Sequence, residues 1–416
     1  MATETITTEC AIAGGGPAGV MLGYLLARAG VNVAVLEKHG DFFRDFRGDT
    51  IHPSTLQVMD ELGILDEFLK RPHQEVRKLG AEIGGELVQI ADFGHLPTKC
   101  KFIVFMPQWH FLDFLAEQGK RYPGFHLRMH CEVDELVKDG DRVAGLKAAT
   151  PQGDLEIRAD LVVGADGRHS TVRKLAGLKV EDRGAPMDVL WLRLSKRPED
   201  GSESLGHIEP GRFFIMIDRG DYWQCAFVIP KGGFNELRRK GLEAFRLAIV
   251  SLQPLLSNRV REIASWDDVK LLTVRVDRLK RWYRPGLLCI GDAAHAMSPI
   301  GGVGINLAIQ DAVAAANILT DPLLEGKVTE DDLRQVEKRR QLPTALTQAL
   351  QIFIQNRVVS NVLTMKTQPN PPFVARLLNR FPYLRRLPAR LIGMGFRPEH
   401  VMAKEVAASA TKPQSA

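Results

Sequence analysis

Three groups of glycines and acids are the residues of this 416-residue chain best placed to do chemistry. The first is Gly14-Gly15-Gly16-Pro17-Ala18-Gly19, a GxGxxG pattern. Gly14 permits a tight turn, Gly16 lets the backbone approach a pyrophosphate, and Gly19 lets a helix pack close to a strand. A helix beginning there offers unpaired N–H groups and a positive dipole end to phosphates. Glu37 follows 23 residues after Gly14, where a carboxylate accepts from ribose hydroxyls and disfavours a 2′-phosphate. This points to bound FAD or NAD rather than NADP.

The second group is Asp166, Gly167 and Arg173, within Val162–Arg173. The third is Cys289-Ile290-Gly291-Asp292-Ala293-Ala294-His295, continuing through Pro299, Gly301, Gly304, Ile305 and Asn306 to Asp311. Both set Gly and Asp at the end of an apolar run, the edge of an α/β sheet where ligands bind. His295 reads as a packed structural histidine, and Asp311 as a mid-helix cap or internal partner. His52, in Asp49-Thr50-Ile51-His52-Pro53, reads equally as a substrate-facing side chain or as part of a helix entry.

Other chemistries are poorly supported. The five cysteines form no CxxC pair, so reduced, buried thiols are expected rather than a redox or zinc unit. The histidines show no HExxH or comparable ligand spacing, so no metal is expected. Lys and Arg total 55 against 50 acids, a net charge of +5, too little for the dense basic face of a nucleic-acid binder. No uncharged apolar run reaches the roughly 18 residues of a spanning helix. Met1–Glu9 is polar, without the apolar stretch of a signal peptide. A cytoplasmic chain is the expectation.

These residues need elements to hold them. Residues 8–16 read as a strand entering a glycine turn, Pro17–Ala29 as a helix stopped by Gly30, and Val31–Glu37 as a parallel strand, together a βαβ unit. A helix is expected over Ser54–Leu69, and a hairpin over Arg77–Phe93 around Gly84-Gly85. Gln108–Arg121 reads as a helix and Ala159–Gly164 as a buried strand. From Pro186 to Trp282 strand-like runs dominate, with a helix near Asn235–Leu252. The α/β texture resumes with Gly286–Gly291 and a helix over Gly304–Leu319, and the chain beyond Glu330 is helical and Arg-rich.

In this order and spacing the three motifs resemble those of the single-component aromatic-ring flavin hydroxylases, typified by para-hydroxybenzoate hydroxylase and the ubiquinone-biosynthesis hydroxylases. The resemblance extends to about Leu350. It implies an α/β fold: a discontinuous Rossmann-like FAD-binding βαβ domain (residues 1–75, 100–185 and 281–345), an inserted, mainly antiparallel β substrate domain (76–99 and 186–280), and C-terminal helices (346–416). It places Gly14, Gly16, Ala18, Gly19, Glu37 and Lys38 at the ADP half of FAD, with Gln108 and Val133 nearby. Asp166, Gly167 and Arg173 border the FAD cleft, and Gly291 and Asp292 hold the ribityl chain. Arg47 and Gly48 fall in a flavin-contacting loop, and Pro299 to Asn306 lies against the isoalloxazine. Bare N–H groups at Gly301, Gly302 and Gly304 would stabilise the anionic reduced ring.

The implied reaction is hydroxylation of an aromatic, phenolic or quinone-like molecule: NADH or NADPH reduces FAD, O2 adds at flavin C4a, and the hydroperoxide passes an OH to the substrate. Pro299 and His52 are the candidates nearest that chemistry. Phe214, Met216, Trp223 and Phe227 are candidate substrate-lining residues, with core packing as the competing reading. No second GxGxxG exists for a separate nicotinamide domain, and the WxWxIP pattern of flavin halogenases is absent. Two other readings share the fold: an isoprenoid double-bond reductase resembling geranylgeranyl reductases, and a prenyl-protein binder resembling guanine-nucleotide dissociation inhibitors, in which the third motif is not expected. A monomer or a homodimer suits the chain equally.

The charge is unevenly spread. Between Gln368 and Pro398 lie six arginines and no acid; without them the count is 49 basic against 50 acidic residues. This segment reads either as a solvated helical face covering the FAD domain or as a peripheral contact with the inner membrane face.

Overall fold

The strand Glu4–Ala13 enters the core at its C-terminal end, where Cys10 to Ala13 are fully buried. In this computed structural model, which describes residues 4–43, 50–201, 205–365 and 373–406, the chain then turns at Gly14 into helix α1 (Pro17–Arg28). Pro17 occupies the first helical turn, where its missing N–H costs nothing. Gly30 ends the helix with φ +95°, and the strand Val33–Leu36 pairs parallel to the first. Arg47 and Gly48 lie outside the described residues.

The strand Gly153–Gly164 lies on the other side of the first strand, with Leu287–Cys289 beyond it, all parallel. Register decides the site. Ala13 pairs with Leu36 on one side and Gly164 on the other, and Gly164 pairs with Cys289. The three motifs therefore leave the sheet in a single row, where ligands bind in open α/β sheets. The Gly153–Gly164 strand is longer than expected because its first half pairs with Arg142–Thr150 in an antiparallel meander.

A second sheet joins two stretches distant in sequence: Lys270–Leu272, Met187–Ser195, Tyr222–Pro230, Arg212–Asp218 and Leu205–Glu209, then Lys78–Ile83 and Glu86–Asp92. Its pairings are antiparallel except that of Leu205–Glu209 with Lys78–Ile83. Both faces are apolar. On one, Leu190, Leu192, Phe214, Met216, Trp223 and Phe227 pack beneath Phe245 and Ile249 of the helix Leu242–Leu252. On the other, Val189, Trp191, Phe213, Ile215 and Val228 meet Ile300 and Val359.

Two helices are shorter than their periodicity suggested, each broken by a glycine at positive φ. The expected Ser54–Leu69 helix divides at Gly63, and the one near Asn235–Leu252 divides at Gly241. Helix α2 (Gly304–Leu324) runs past the expected Leu319. Residues 300–324 are long and apolar enough to cross a membrane, yet 72% of that apolar window is buried in the fold, as befits a core helix. Helix α3 (Glu330–Ile354) starts in a capping box between Thr329 and Asp332 and leads into a π-helical turn, Gln355–Val359. Its sides are inverted: Arg340, Thr344, Gln348 and Gln351 are buried, while Leu342, Leu346 and Phe353 face water.

Candidate flavin site

The glycines at the sheet edge divide by what a side chain would meet. A Cβ on Gly14 would lie 2.4 Å from the Ala165 carbonyl oxygen, and one on Gly19 only 1.9 Å from that of Gly14. Packing of the chain against itself accounts for both. Gly16 is different: its backbone is extended (φ −77°, ψ −177°), and the nearest atom to an added Cβ is 3.9 Å away. Gly304 likewise faces open space. The protein requires no glycine at these two positions, so they suit a ligand that approaches the backbone closely.

Acids follow the row at short intervals. Glu37 accepts from the Gly15 N–H at 3.1 Å and the His39 N–H at 3.0 Å, which fixes its carboxylate over the glycine turn. Lys38 beside it is exposed, Val133 is half-buried on the strand Glu132–Asp139, and Gln108 opens the helix Gln108–Gly119. Asp166 accepts from the Val172 N–H at 3.0 Å through one oxygen, while its other oxygen is buried without a partner. A hydroxyl-bearing ligand would satisfy it.

Arg173 has a different task from the expected cofactor contact. Its guanidinium is buried, donates to the carbonyls of Ala293 and Arg168, and lies 3.5 Å from Asp277. It fastens the second motif to the third. Asp292, partly exposed and 3.8 Å from Arg168, is the acid of that motif left facing the cleft. The preceding Gly291 adopts φ +58°, and its N–H donates to Asp311 at 3.0 Å. Asp311 also meets His295 Nε2 at 2.5 Å and Arg340 Nε at 3.0 Å, so both residues are internal partners, as their sequence context suggested.

The segment from Pro299 to Gly304 is held from two sides. Gly301 and Gly302 have φ +79° and +62°, and a Cβ on Gly302 would strike Thr50. Glutamines of α3 and of the π-helical turn after it grip the other side. Gln351 donates to the carbonyls of Ser298 and Ile300 and accepts from the Ser298 N–H, and Gln355 donates to the Ser298 hydroxyl at 2.7 Å. No sequence signal marked these residues, since glutamines at helical spacing read as a solvated face. In the first turn of α2, buried Asn306 accepts from the His52 N–H and the Thr55 hydroxyl and donates to the Thr50 carbonyl.

His52 does not reach a substrate. Its ring is fully buried, Nδ1 lies 2.6 Å from the Ile392 carbonyl, and Nε2 sits near the Gly301 carbonyl without a hydrogen bond. A carbonyl only accepts, so Nδ1 carries the proton and the residue braces the Pro299–Gly304 segment against Ile392. Burial lowers its pKa to about 4, against the opposing pull of the Ile392 and Gly301 carbonyls. The unfolded chain takes up this proton near pH 6.5 and the folded one only near 4. Stability should therefore rise with pH across that window, by about 3 kcal/mol in all. Urea midpoints of His52→Gln should lose this slope; an unchanged profile would assign it to another group.

A cavity of about 590 Å³ lies between the second sheet and the strand Ile103–Phe105, with no residue of the Pro299–Gly304 segment in its lining. It shares Phe105 with the strand pair that carries Thr50. Phe43, Trp109 and Tyr222 supply aromatic walls, Arg193, Arg219, His73, His110, Gln74 and Gln224 are among the polar groups, and Asp221 lies 3.6 Å from Arg193. Arg193 stacks 3.8 Å above the Tyr222 ring, and Arg219 donates to Gln224 at 3.1 Å. Phe214, Met216, Trp223 and Phe227 do not line it. Strand alternation puts these four together correctly, but on the face beneath the helix Leu242–Leu252; Tyr222 and Gln224, one residue out of phase, face the cavity.

A βαβ unit with three glycine and acid motifs in a row at its ligand edge, beside a largely antiparallel sheet, has the architecture of a dinucleotide-binding flavoprotein. The free space at Gly16 and Gly304 and the unpartnered Asp166 oxygen fit an FAD. This chain belongs to the family described as FAD binding domain, whose model matches residues 7–349, and it is an FAD-dependent enzyme of the aromatic-hydroxylating kind. It is 33% identical to 6-methylpretetramide 4-monooxygenase of Streptomyces rimosus, covering 92% of both chains. Among solved structures, a probable FAD-dependent monooxygenase of Pseudomonas aeruginosa, PqsL, superposes with a TM-score of 0.72 at 22% identity, over 86% of this chain and 98% of that one. The anhydrotetracycline hydroxylase OxyS of Streptomyces rimosus gives 0.72 at 23% identity, over 96% and 78%.

Proposed function

We propose that this enzyme uses NAD(P)H and O2 to hydroxylate an acidic, planar, fused-ring aromatic compound bound in the 590 Å³ cavity. The observation that carries this reading is Arg193 and Arg219 set among the aromatic walls of one cavity, over Tyr222 and Phe105. Flat, electron-rich rings stack on such walls, and phenolate or enolate oxygens are met by guanidinium groups. A relative named for 6-methylpretetramide hydroxylation supports the fused-ring class.

In this reading Gly14–Gly19 and Glu37 hold the ADP half of FAD, Asp166 and Asp292 its ribose and ribityl hydroxyls, and Pro299–Asn306 its ring. The bound flavin supplies the redox chemistry: NAD(P)H, O2, a proton and the arene give NAD(P)+, water and the hydroxylated arene. The chain's part is to fix the ring, exclude water and orient the substrate.

Holoenzyme offered NADH or NADPH with 6-methylpretetramide, and separately with 4-nitrophenol, should consume O2 and NAD(P)H together and place one 18O from 18O2 in the fused-ring product. Arg219→Gln should raise KM about tenfold to a hundredfold, the worth of a charge-assisted hydrogen bond, and change kcat less. Reduction of an isoprenoid alkene without O2 uptake would replace this reading with the reductase.

A further inference from the structure

The Arg-rich segment forms two helices, α4 (Phe373–Arg380) and α5 (Arg386–Met394), joined by a 3₁₀ turn at Pro382–Arg385. Both lie across Glu86–Asp92, the edge strand of the second sheet. Asn379 exchanges hydrogen bonds with the backbone of Leu87 and Gln89, and Ala389 packs with Ala91, Phe93 and Leu96. The two helices thus cover the edge of the second sheet, where the expected covering was of the FAD domain; Ala375, Ala389 and Gly393 point inward, with Ile392 and Met394 partly buried beside them.

Several large apolar residues point the other way. Phe373 is 71% exposed, Leu387 64% and Tyr383 61%, with Val374, Phe381 and Leu391 exposed as well. Leu87, at the tip of the hairpin beneath, adds to this surface. Monomeric proteins rarely leave such a group of side chains in water without a use. Arg376, Arg380, Arg386 and Arg390 are interleaved with them, exposed and, among the described residues, without a carboxylate partner. Arg385 is tied inward, to Gln89 and the Leu378 carbonyl, and Arg386 lies 3.5 Å from His95 Nε2.

We propose that α4, α5 and the turn between them dock on an anionic lipid bilayer. Charge selects this occupant. A two-fold contact with a second copy would bring together two arginine-bearing segments that contain no acid. A phosphate-bearing membrane surface accepts guanidinium groups, while the aromatic and leucine side chains enter the headgroup boundary. None of the exposed residues of this surface lines the cavity.

The test is sedimentation of the FAD-loaded full chain with vesicles, its flavin absorbance serving as the check on folding. Phosphatidylglycerol-containing vesicles should bind it at least tenfold better than pure phosphatidylcholine, and high salt should weaken the difference. Replacing Arg376, Arg380, Arg386 and Arg390 together by Gln should abolish the preference. Leu387→Ser with Leu391→Ser should lower binding with the charges intact, and neither set should alter FAD content. Equal binding to both vesicles, or none, overturns the proposal. So does a concentration-dependent doubling of mass that the leucine pair abolishes without any vesicle binding, since the face would then join two copies.

Discussion

Gly16→Ala should fold normally and emerge colourless, whereas Gly19→Ala should barely fold at all. The two glycines stand three residues apart in one motif, yet the structure gives them opposite reasons to lack a side chain. At Gly19 an added methyl would lie 1.9 Å from the Gly14 carbonyl oxygen. That atom is backbone in a turn packed against Ala165, so nothing flexible can yield. Moving α1 off the sheet would open the largest core cluster of the molecule, at a cost above about 4 kcal/mol. At Gly16 the φ/ψ pair suits any residue before a proline, and the added Cβ keeps 3.9 Å of clearance. Alanine there should even stabilise the apoprotein slightly, by about 0.4–1 kcal/mol, through the unfolded chain. The methyl instead takes space at the N-terminus of α1, where a pyrophosphate would sit, so FAD affinity should fall by about a hundredfold, as loss of close backbone approach implies. Circular dichroism and flavin absorbance separate the outcomes. A yellow Gly16→Ala protein with native affinity would place the diphosphate elsewhere.

The same contrast shows what could be read from the chain. The motif glycines and Glu37 were legible because turn, helix start and acid are local, and parallel pairing then aligned Ala13, Leu36, Gly164 and Cys289 without further information. The second sheet was legible only in part. Alternation sorts Phe214, Met216, Trp223 and Phe227 from Trp191, Phe213, Ile215 and Val228, but both sets are apolar because both faces are covered. Period two says which residues share a face; it does not say which face packs under the helix Leu242–Leu252 and which meets Ile300. His52 was undecidable locally because the carbonyl that fixes its ring belongs to Ile392, 340 residues away. Gln351 and Gln355 carried no signal in themselves. The clue lay on the opposite side of α3, where Leu342, Leu346 and Phe353 recur at helical spacing yet face water.

Asp311→Ala should cost about 3–5 kcal/mol and loosen FAD as well, because it breaks a buried charge network at its centre. The carboxylate is fully buried and accepts from Arg340, His295 and the Gly291 N–H. Arg340 in turn reaches Glu399 at 3.1 Å, and Glu399 is held by Arg339 at 2.8 Å. Alanine would leave Arg340 one carboxylate short and strand the Gly291 N–H in the core. Burial alone would raise the Asp311 carboxyl pKa; His295 and Arg340 outweigh it and hold the group below the usual carboxylate range. The folded pKa thus lies below the unfolded value of about 3.9. This stabilisation is present above that pH and is lost as pH falls through the folded value, a window below that of His52. Asp311→Asn, which cannot titrate, should therefore flatten the stability profile only in strong acid. The flavin effect needs a control, because any unstable variant loses cofactor. Leu192→Ala opens a cavity in the far layer of the second sheet, at about 2–5 kcal/mol. If Asp311 sets the Gly291–Asp292 turn, its alanine variant should bind FAD at least tenfold more weakly than Leu192→Ala at matched stability. Equal affinities would mean that the network holds the core together and leaves the turn to set itself.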